Sequence, residues 1–208
     1  YRIQSVDGYD PLYLLRFGEL ISASERGKPD ITAPFGFNRI VVPTDFNTRI
    51  INLLGVKYIF SLDDIKNSYV HKVFQEGQTQ VFENSQAFPR AFLVQSVVKA
   101  ANKEQAIKEL FNPIHDLRTN AIVEDVGDLE VLEYGKGSAL IITYSENNVV
   151  IRVTTDTTGF LVLTDTYYPT WRVTIDGNKS VIYRTDYNFR GVVVPPGTHT
   201  VEFKNTLL

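Results

Sequence analysis

Asp165-Thr-Tyr-Tyr-Pro-Thr-Trp-Arg-Val-Thr-Ile-Asp-Gly177 is the stretch whose reading decides the fold. It holds the only Trp of the chain. Residues alternate along an extended strand, so Trp171, Val173 and Ile175 share one face and Arg172, Thr174 and Asp176 the other. Tyr168 precedes Pro169, which biases the backbone to extended geometry. Asp176-Gly177-Asn178 supplies residues that tolerate positive φ, as a tight hairpin turn requires. A Trp in phase with two β-branched residues is expected to anchor the core of a β-sandwich. The sharper alternative is a sugar-stacking platform built from Tyr167, Tyr168 and Trp171.

Working outward, the second half of the chain has short apolar runs at regular spacing. They are Leu129 to Tyr134, Ala139 to Tyr144, Asn148 to Thr154, Phe160 to Asp165, Trp171 to Asp176, Ser180 to Arg184, Val192 to Val194 and Thr198 to Lys204. Turn residues separate them, among them Gly135-Lys-Gly137, Glu146-Asn147 and Pro195-Pro-Gly197. This spacing predicts an antiparallel β-sandwich, jelly-roll-like, over residues 128–208.

The first half reads differently. Asp10 and Pro11 suit the cap and first position of a helix carrying Leu12, Leu15, Phe17, Leu20 and Ile21, fading from Ser22. Arg39 to Val42 is a short strand. Thr44 or Asp45 is placed to cap a second helix that Gly55 stops, and Val56 to Phe60 then reads as a buried strand. Lys72 to Gln75 and Gln80 to Glu83 flank a hairpin turn, Ala91 to Val98 is one strand, and Arg118 to Glu124 another. Between these last two, Asn102 with Gln105 signals a helix start, and Asn112-Pro113 its end. The expectation is an α+β chain: a mixed α/β unit over 1–127, then the sandwich, which is carbohydrate-binding-like in its aromatic content.

Several chemistries lack their residues. With no Cys, disulfides, thiol nucleophiles and thiolate metal sites are excluded. The net charge of −3 without a Lys/Arg run argues against nucleic acid as a partner. No apolar run approaches the ~20 residues that cross a bilayer. His71, His115 and His199 have no second ligand at metal-binding spacing, so no metal or other cofactor is expected. Asp63-Asp64 reads as a solvated loop pair, and Gly135-Lys-Gly-Ser138 as a turn rather than a phosphate loop. No catalytic residue is assigned. Tyr167, Tyr168, Trp171, Tyr187 and Arg190 are the candidate glycan contacts, because aromatic faces and forked donors suit sugar C–H faces and hydroxyls. The competing readings are a structural or protein-interaction domain without glycan binding, and a soluble glycoside hydrolase with two paired carboxylates.

The run from Tyr167 to Gly177, with Ile182-Tyr-Arg-Thr-Asp-Tyr-Asn-Phe-Arg-Gly191 and Val194-Pro-Pro-Gly-Thr-His-Thr-Val-Glu-Phe203, resembles the C-terminal portion of bacterial YfhO-like membrane proteins. Gly8-Tyr-Asp-Pro-Leu12, Leu53-Leu-Gly-Val-Lys-Tyr-Ile59 and Phe88-Pro-Arg-Ala-Phe-Leu-Val94 are similar to further pieces of that family, in the same order. The resemblance implies a polytopic parent related to the type-C glycosyltransferases, which use lipid-linked sugars outside the cytoplasmic membrane. It implies a link to glycosylation of envelope polymers such as lipoteichoic acid. The chain opens at Tyr1 and has no Met, so it is expected to be cut from a longer polypeptide. Its expected partners are the transmembrane part of that polypeptide and an envelope glycan. Its expected place is the extracytoplasmic face of the cell membrane, with membrane helices before Tyr1 and after Phe203.

Overall fold

The computed structural model describes residues 4–9, 13–37, 40–41, 43–124, 126–127 and 133–206. They fall into two compact units, Tyr1–Pro89 and Arg90–Leu208. No described helix is long and apolar enough to cross a membrane.

The first unit contains β1 (Gly8–Tyr9), α1 (Leu15–Arg26), β2 (Ile40–Val41), α2 (Arg49–Leu53), β3 (Tyr58–Ser61), β4 (Val70–Glu76) and β5 (Thr79–Asn84). The expected helix start at Asp10 and Pro11 lies outside the described residues. The helix also outlasts its expected fade at Ser22. It runs to Arg26, where Gly27 at φ 62° turns its N–H back onto the carbonyls of Ala23 and Ser24. Thr48, not Thr44 or Asp45, caps α2, accepting from the Ile51 N–H at 3.2 Å. Glu25 takes up Thr44 instead, accepting from its N–H at 2.9 Å. The antiparallel sheet β3-β5-β4 packs Ile59, Val70 and Phe82 into a small core with Phe46, Val56 and Ile65. The strand at 58–61 is not buried through, as its sequence suggests. Among the described residues only one face of this sheet is covered, and Tyr58 and Phe60 stand on the other.

The second unit contains β6 (Ala91–Val94), β7 (Ser96–Ala100), α3 (Lys103–Phe111), β8 (Asn120–Glu124), β9 (Gly137–Tyr144), β10 (Asn148–Thr155), β11 (Gly159–Leu163), β12 (Trp171–Ile175), β13 (Asn178–Ser180), β14 (Tyr183–Thr185), β15 (Phe189–Val194) and β16 (Gly197–Asn205). One sheet has the order β13-β12-β16-β10-β9, the other β6-β11-β15-β14-β8-β7. All ladders are antiparallel except β7 with β8, which α3 connects as a parallel crossover. The cap of α3 is as the sequence reads, with Asn102 accepting from the Gln105 N–H at 2.9 Å.

This arrangement moves the expected division at 127/128. Residues 91–124 are not part of a separate N-terminal unit. β6 pairs with β11, and β8 pairs with β14 through Thr185 and Val123. The change of periodicity after Gly127 marks the passage from a β-α-β crossover to a run of antiparallel strands within one unit. The expected strand at 129–134 lies outside the described residues except at its end, where Glu133 bridges to Ser96.

The strand spacing beyond 137 is otherwise borne out except at the expected strand Ser180 to Arg184, which is two strands, β13 and β14, one in each sheet with the chain crossing between them. Val149, Ile151, Val153, Val173, Val201 and Phe203 of one sheet and Ala91, Leu161, Leu163, Val192 and Val194 of the other form one core. The two sheets are therefore layered face to face in a sandwich-like way. β11 is buried at all five positions because both its faces are covered. Leu161 and Leu163 enter the core between the sheets, while Phe160 and Val162 pack with Val97, Ala121, Val123 and Tyr134.

Candidate functional site

The five candidate residues converge on one end of the second unit, but they do not share one surface. β12 and β15 belong to different sheets. Trp171 starts β12 and lies in phase with Val173, so its ring turns inward against the shared core. Arg190 lies on β15 in phase with Val192 and Val194, opposite Leu163. It too turns inward. The result is a guanidinium stacked on an indole across the two layers, 3.6 Å from ring centroid to guanidinium carbon.

Arg190 is only 3% exposed. Its Nε and Nη2 donate to the Thr166 carbonyl at 3.1 and 2.9 Å, and its Nη1 lies 4.0 Å from Asp165 Oδ2. Burial lowers its pKa to about 10, still well above neutrality, while Asp165 pulls the other way. Asp165 is itself held from two further sides. Its Oδ1 accepts from Arg90 Nη1 and from the Tyr144 hydroxyl, each at 2.9 Å. Tyr144 ends β9 and Asp165 follows β11, so this carboxylate also ties the two sheets together.

Tyr187 is fully buried. It sits in the three-residue turn between β14 and β15, where Asp186 and Tyr187 have φ of 46° and 73°. Two successive non-Gly residues in this region are strained unless something holds them. Asp186 supplies part of that hold: its Oδ1 accepts from the Ile122 N–H at 2.8 Å, and its own N–H donates to the Ile122 carbonyl at 2.7 Å. The Asn188 carbonyl then accepts from the Tyr167 N–H at 2.7 Å, which fixes the start of the aromatic loop.

Tyr187 has no surface to offer a ligand, and Arg190 has almost none. The exposed rings are Tyr168, at 42%, and the partly exposed Tyr167 and Trp171. Arg184 covers one face of Tyr167, 4.3 Å from its centroid. Arg90 and Tyr144 complete the cluster without having been marked in the sequence. They lie 75 and 21 positions from Asp165, and neither has a local signal.

The other sequence candidates are dispersed. Asp64 makes an exposed pair with Lys72 at 3.3 Å. His115 meets Glu109 at 3.0 Å. His199 lies between Asp176 Oδ2 at 2.6 Å and the Pro196 carbonyl at 3.0 Å. Asp176, a turn residue as expected, has φ 50°. Among the described residues no group of three or more His, Cys, Asp or Glu is placed to hold a metal ion.

The sequence model of the family described as bacterial membrane protein YfhO matches residues 132–206. The match includes the aromatic loop, β12, the strained turn and β15. The YfhO-like resemblance is thus borne out over this stretch, while the similar pieces at 8–12, 53–59 and 88–94 lie outside it. No curated protein and no solved structure matches the chain.

Proposed function

From the premise that residues 132–206 are a YfhO-like part of a bacterial membrane protein, we propose that the chain is its non-catalytic extracytoplasmic portion and contacts an acceptor glycan. The parent would act in glycosylation of an envelope polysaccharide such as lipoteichoic acid, as a relative of the lipid-linked-sugar glycosyltransferases. In this reading the second unit is a carbohydrate-binding-like, jelly-roll-like sandwich. Its transmembrane counterpart in the same polypeptide carries the chemistry.

The observation that supports glycan contact is the loop 167–171. It exposes Tyr168 and parts of Tyr167 and Trp171, with Arg184 stacked on Tyr167 and Arg190 on the inward-turned Trp171. Rings fixed in advance lose little entropy on stacking against a sugar face. Arg90, Arg184 and Arg190 outnumber Asp165 in this cluster, which favours a polymer bearing anionic groups. Arg190 and Tyr187 act here from beneath, as positioning residues.

The test is a titration of the chain with lipoteichoic acid fragments and neutral envelope glycans, followed by Trp171 fluorescence. The expected result is a saturable shift that Tyr168→Ala abolishes without altering stability. No shift with any glycan would leave the second reading, a structural or protein-interaction domain. The burial of Tyr187 and Arg190 and the packing of Trp171 on the core favour that alternative.

A further inference from the structure

The first unit carries an apolar surface that the glycan reading does not use. Among the described residues, Tyr58, Phe60, Leu62, Tyr69, Val73 and Phe74 are all at least half exposed, although they lie within 17 positions of one another. Strand register explains how this surface is assembled. Phe60 and Phe74 both pair with Val81, so the three cross the outer face of β3-β5-β4 in one row. Tyr58 pairs with Glu83 in the next row of the same face. The opposite face holds Ile59, Val70 and Phe82 and is the core. A soluble domain rarely leaves adjacent aromatic rings on an open sheet without a partner for them.

We infer that this face seats on the surface of a phospholipid bilayer. Tyr, Phe and Leu are the side chains that settle at the boundary of headgroup and acyl chain, with Lys stems laid along the apolar surface and their ammonium groups outward. Lys57 borders this face, its ammonium 5.5 Å from the Tyr58 ring centroid. The family match supplies the bilayer's proximity, and the inference rests on that membrane-protein reading but not on glycan binding. Electrostatic attraction is not the driving term. Residues 57–83 hold three Lys against four Asp or Glu, a net −1. Lys57 is also paired with Glu83 at 3.6 Å, and Lys72 with Asp64 at 3.3 Å. Contact is therefore apolar, and it does not require anionic lipid.

Co-sedimentation of the 208-residue chain with phosphatidylcholine vesicles, at low and high salt, tests this. The expected result is binding to the zwitterionic vesicles that survives high salt. F60D/F74D should weaken it roughly tenfold or more, because two rings leave the apolar phase and two charges replace them. L140D, on an exposed strand of the second unit, should bind as the native chain does. Both Phe side chains are more than half exposed, so circular dichroism should show the double variant folded. F60W gives a second readout, quenching of the new indole by brominated lipid. Failure to sediment, binding that high salt abolishes, binding unchanged in F60D/F74D, or burial of the face in a dimer of two chains would each overturn the inference. The glycan titration is scored separately in solution, so either reading can fail alone.

Discussion

Replacing Arg190 by Met and Trp171 by Leu, singly and together, isolates the contact that joins the two sheets at the aromatic end. The guanidinium lies 3.6 Å from the ring centroid and Arg190 is 3% exposed. A desolvated cation over Trp is worth about 2 kcal/mol, against about 0.5–1 kcal/mol at an exposed site. Arg190→Met also removes both hydrogen bonds to the Thr166 carbonyl, worth about 1.5–3 kcal/mol for a charged donor. Against these stands the cost of burying the charge. Lowering its pKa from 12.5 to about 10 corresponds to about 3 kcal/mol. Asp165 keeps its Arg90 and Tyr144 partners, so no orphaned carboxylate adds to the loss. The net cost of Arg190→Met is then about 0.5–2 kcal/mol, no larger than the stack it destroys. Trp171→Leu should cost about 2–3 kcal/mol, below a full Trp truncation, because the ring is only partly buried. The decisive quantity is the coupling: the double variant should lose about 2 kcal/mol less than the two single losses together. Because the chain has two units, a single melting transition is not a safe measure. Native-state hydrogen exchange at the Val162 and Val192 amides, in β11 and β15, reports the second unit directly. A coupling below about 0.5 kcal/mol would refute the claim that this stack locks the layers.

Three further outcomes follow from other contacts. His199 has an acceptor against each ring nitrogen, so only the imidazolium satisfies both, and the Asp176 hydrogen bond raises its pKa above 6.5. Asp176 is lowered below 3.8 chiefly by the same bond. A raised His stabilises fully below its unfolded value and loses that stabilisation as pH rises through its folded one; a lowered Asp stabilises above its unfolded value and loses it as pH falls. The clasp between these turns should hold fully from 3.8 to 6.5 and weaken on either side, which NMR titration of His199 measures. Gly191→Ala should destabilise the second unit by about 1–3 kcal/mol, since its Cβ would lie 2.3 Å from Thr185 Oγ1 and 2.5 Å from Phe160 Cζ. Urea denaturation followed by Trp171 fluorescence reads that loss. Asn102→Ala should cost about 1 kcal/mol at α3, seen as faster amide exchange at Gln105.

Most strands beyond 137 were legible because they announce themselves locally; the exception is 180–184, where one expected strand is divided between β13 and β14 of different sheets. Alternation in Trp171-Arg-Val-Thr-Ile175 matches a strand with one covered face, and Asp176-Gly177 closes it. The cap at Asn102 was legible for the same reason, being written within four residues. What failed was non-local. Nothing in Ala91 to Glu124 says that β6 will pair with β11 some seventy positions later, so that segment reads as part of the first half. Val56 to Phe60 has a single polar residue, Lys57, and its composition cannot separate a strand covered on both faces from one whose second face stays open.

The same distinction explains why the aromatic cluster resisted assignment as either core or platform. Its members occupy three layers of depth in one short span. Tyr187 is core, held in a turn whose strain the Asp186 contacts with Ile122 offset. Arg190 and Trp171 form an interlock, each belonging to a different sheet and neither reaching its position without the other strand in place. Tyr168 alone is clearly outside. A buried Arg is costly in a sandwich core and a hydrophobic residue would pack more cheaply, so its retention needs a reason beyond stability. The geometry offers one. The Thr166 carbonyl that Arg190 grips with two N–H groups immediately precedes Tyr167, and the indole it stacks on ends the loop at Trp171. The charge therefore pins both ends of the only exposed aromatic segment in the cluster. If that is its purpose, Arg190→Met should weaken glycan binding more than its modest stability loss accounts for, whereas a purely structural Arg190 would leave the affinity of the folded fraction unchanged.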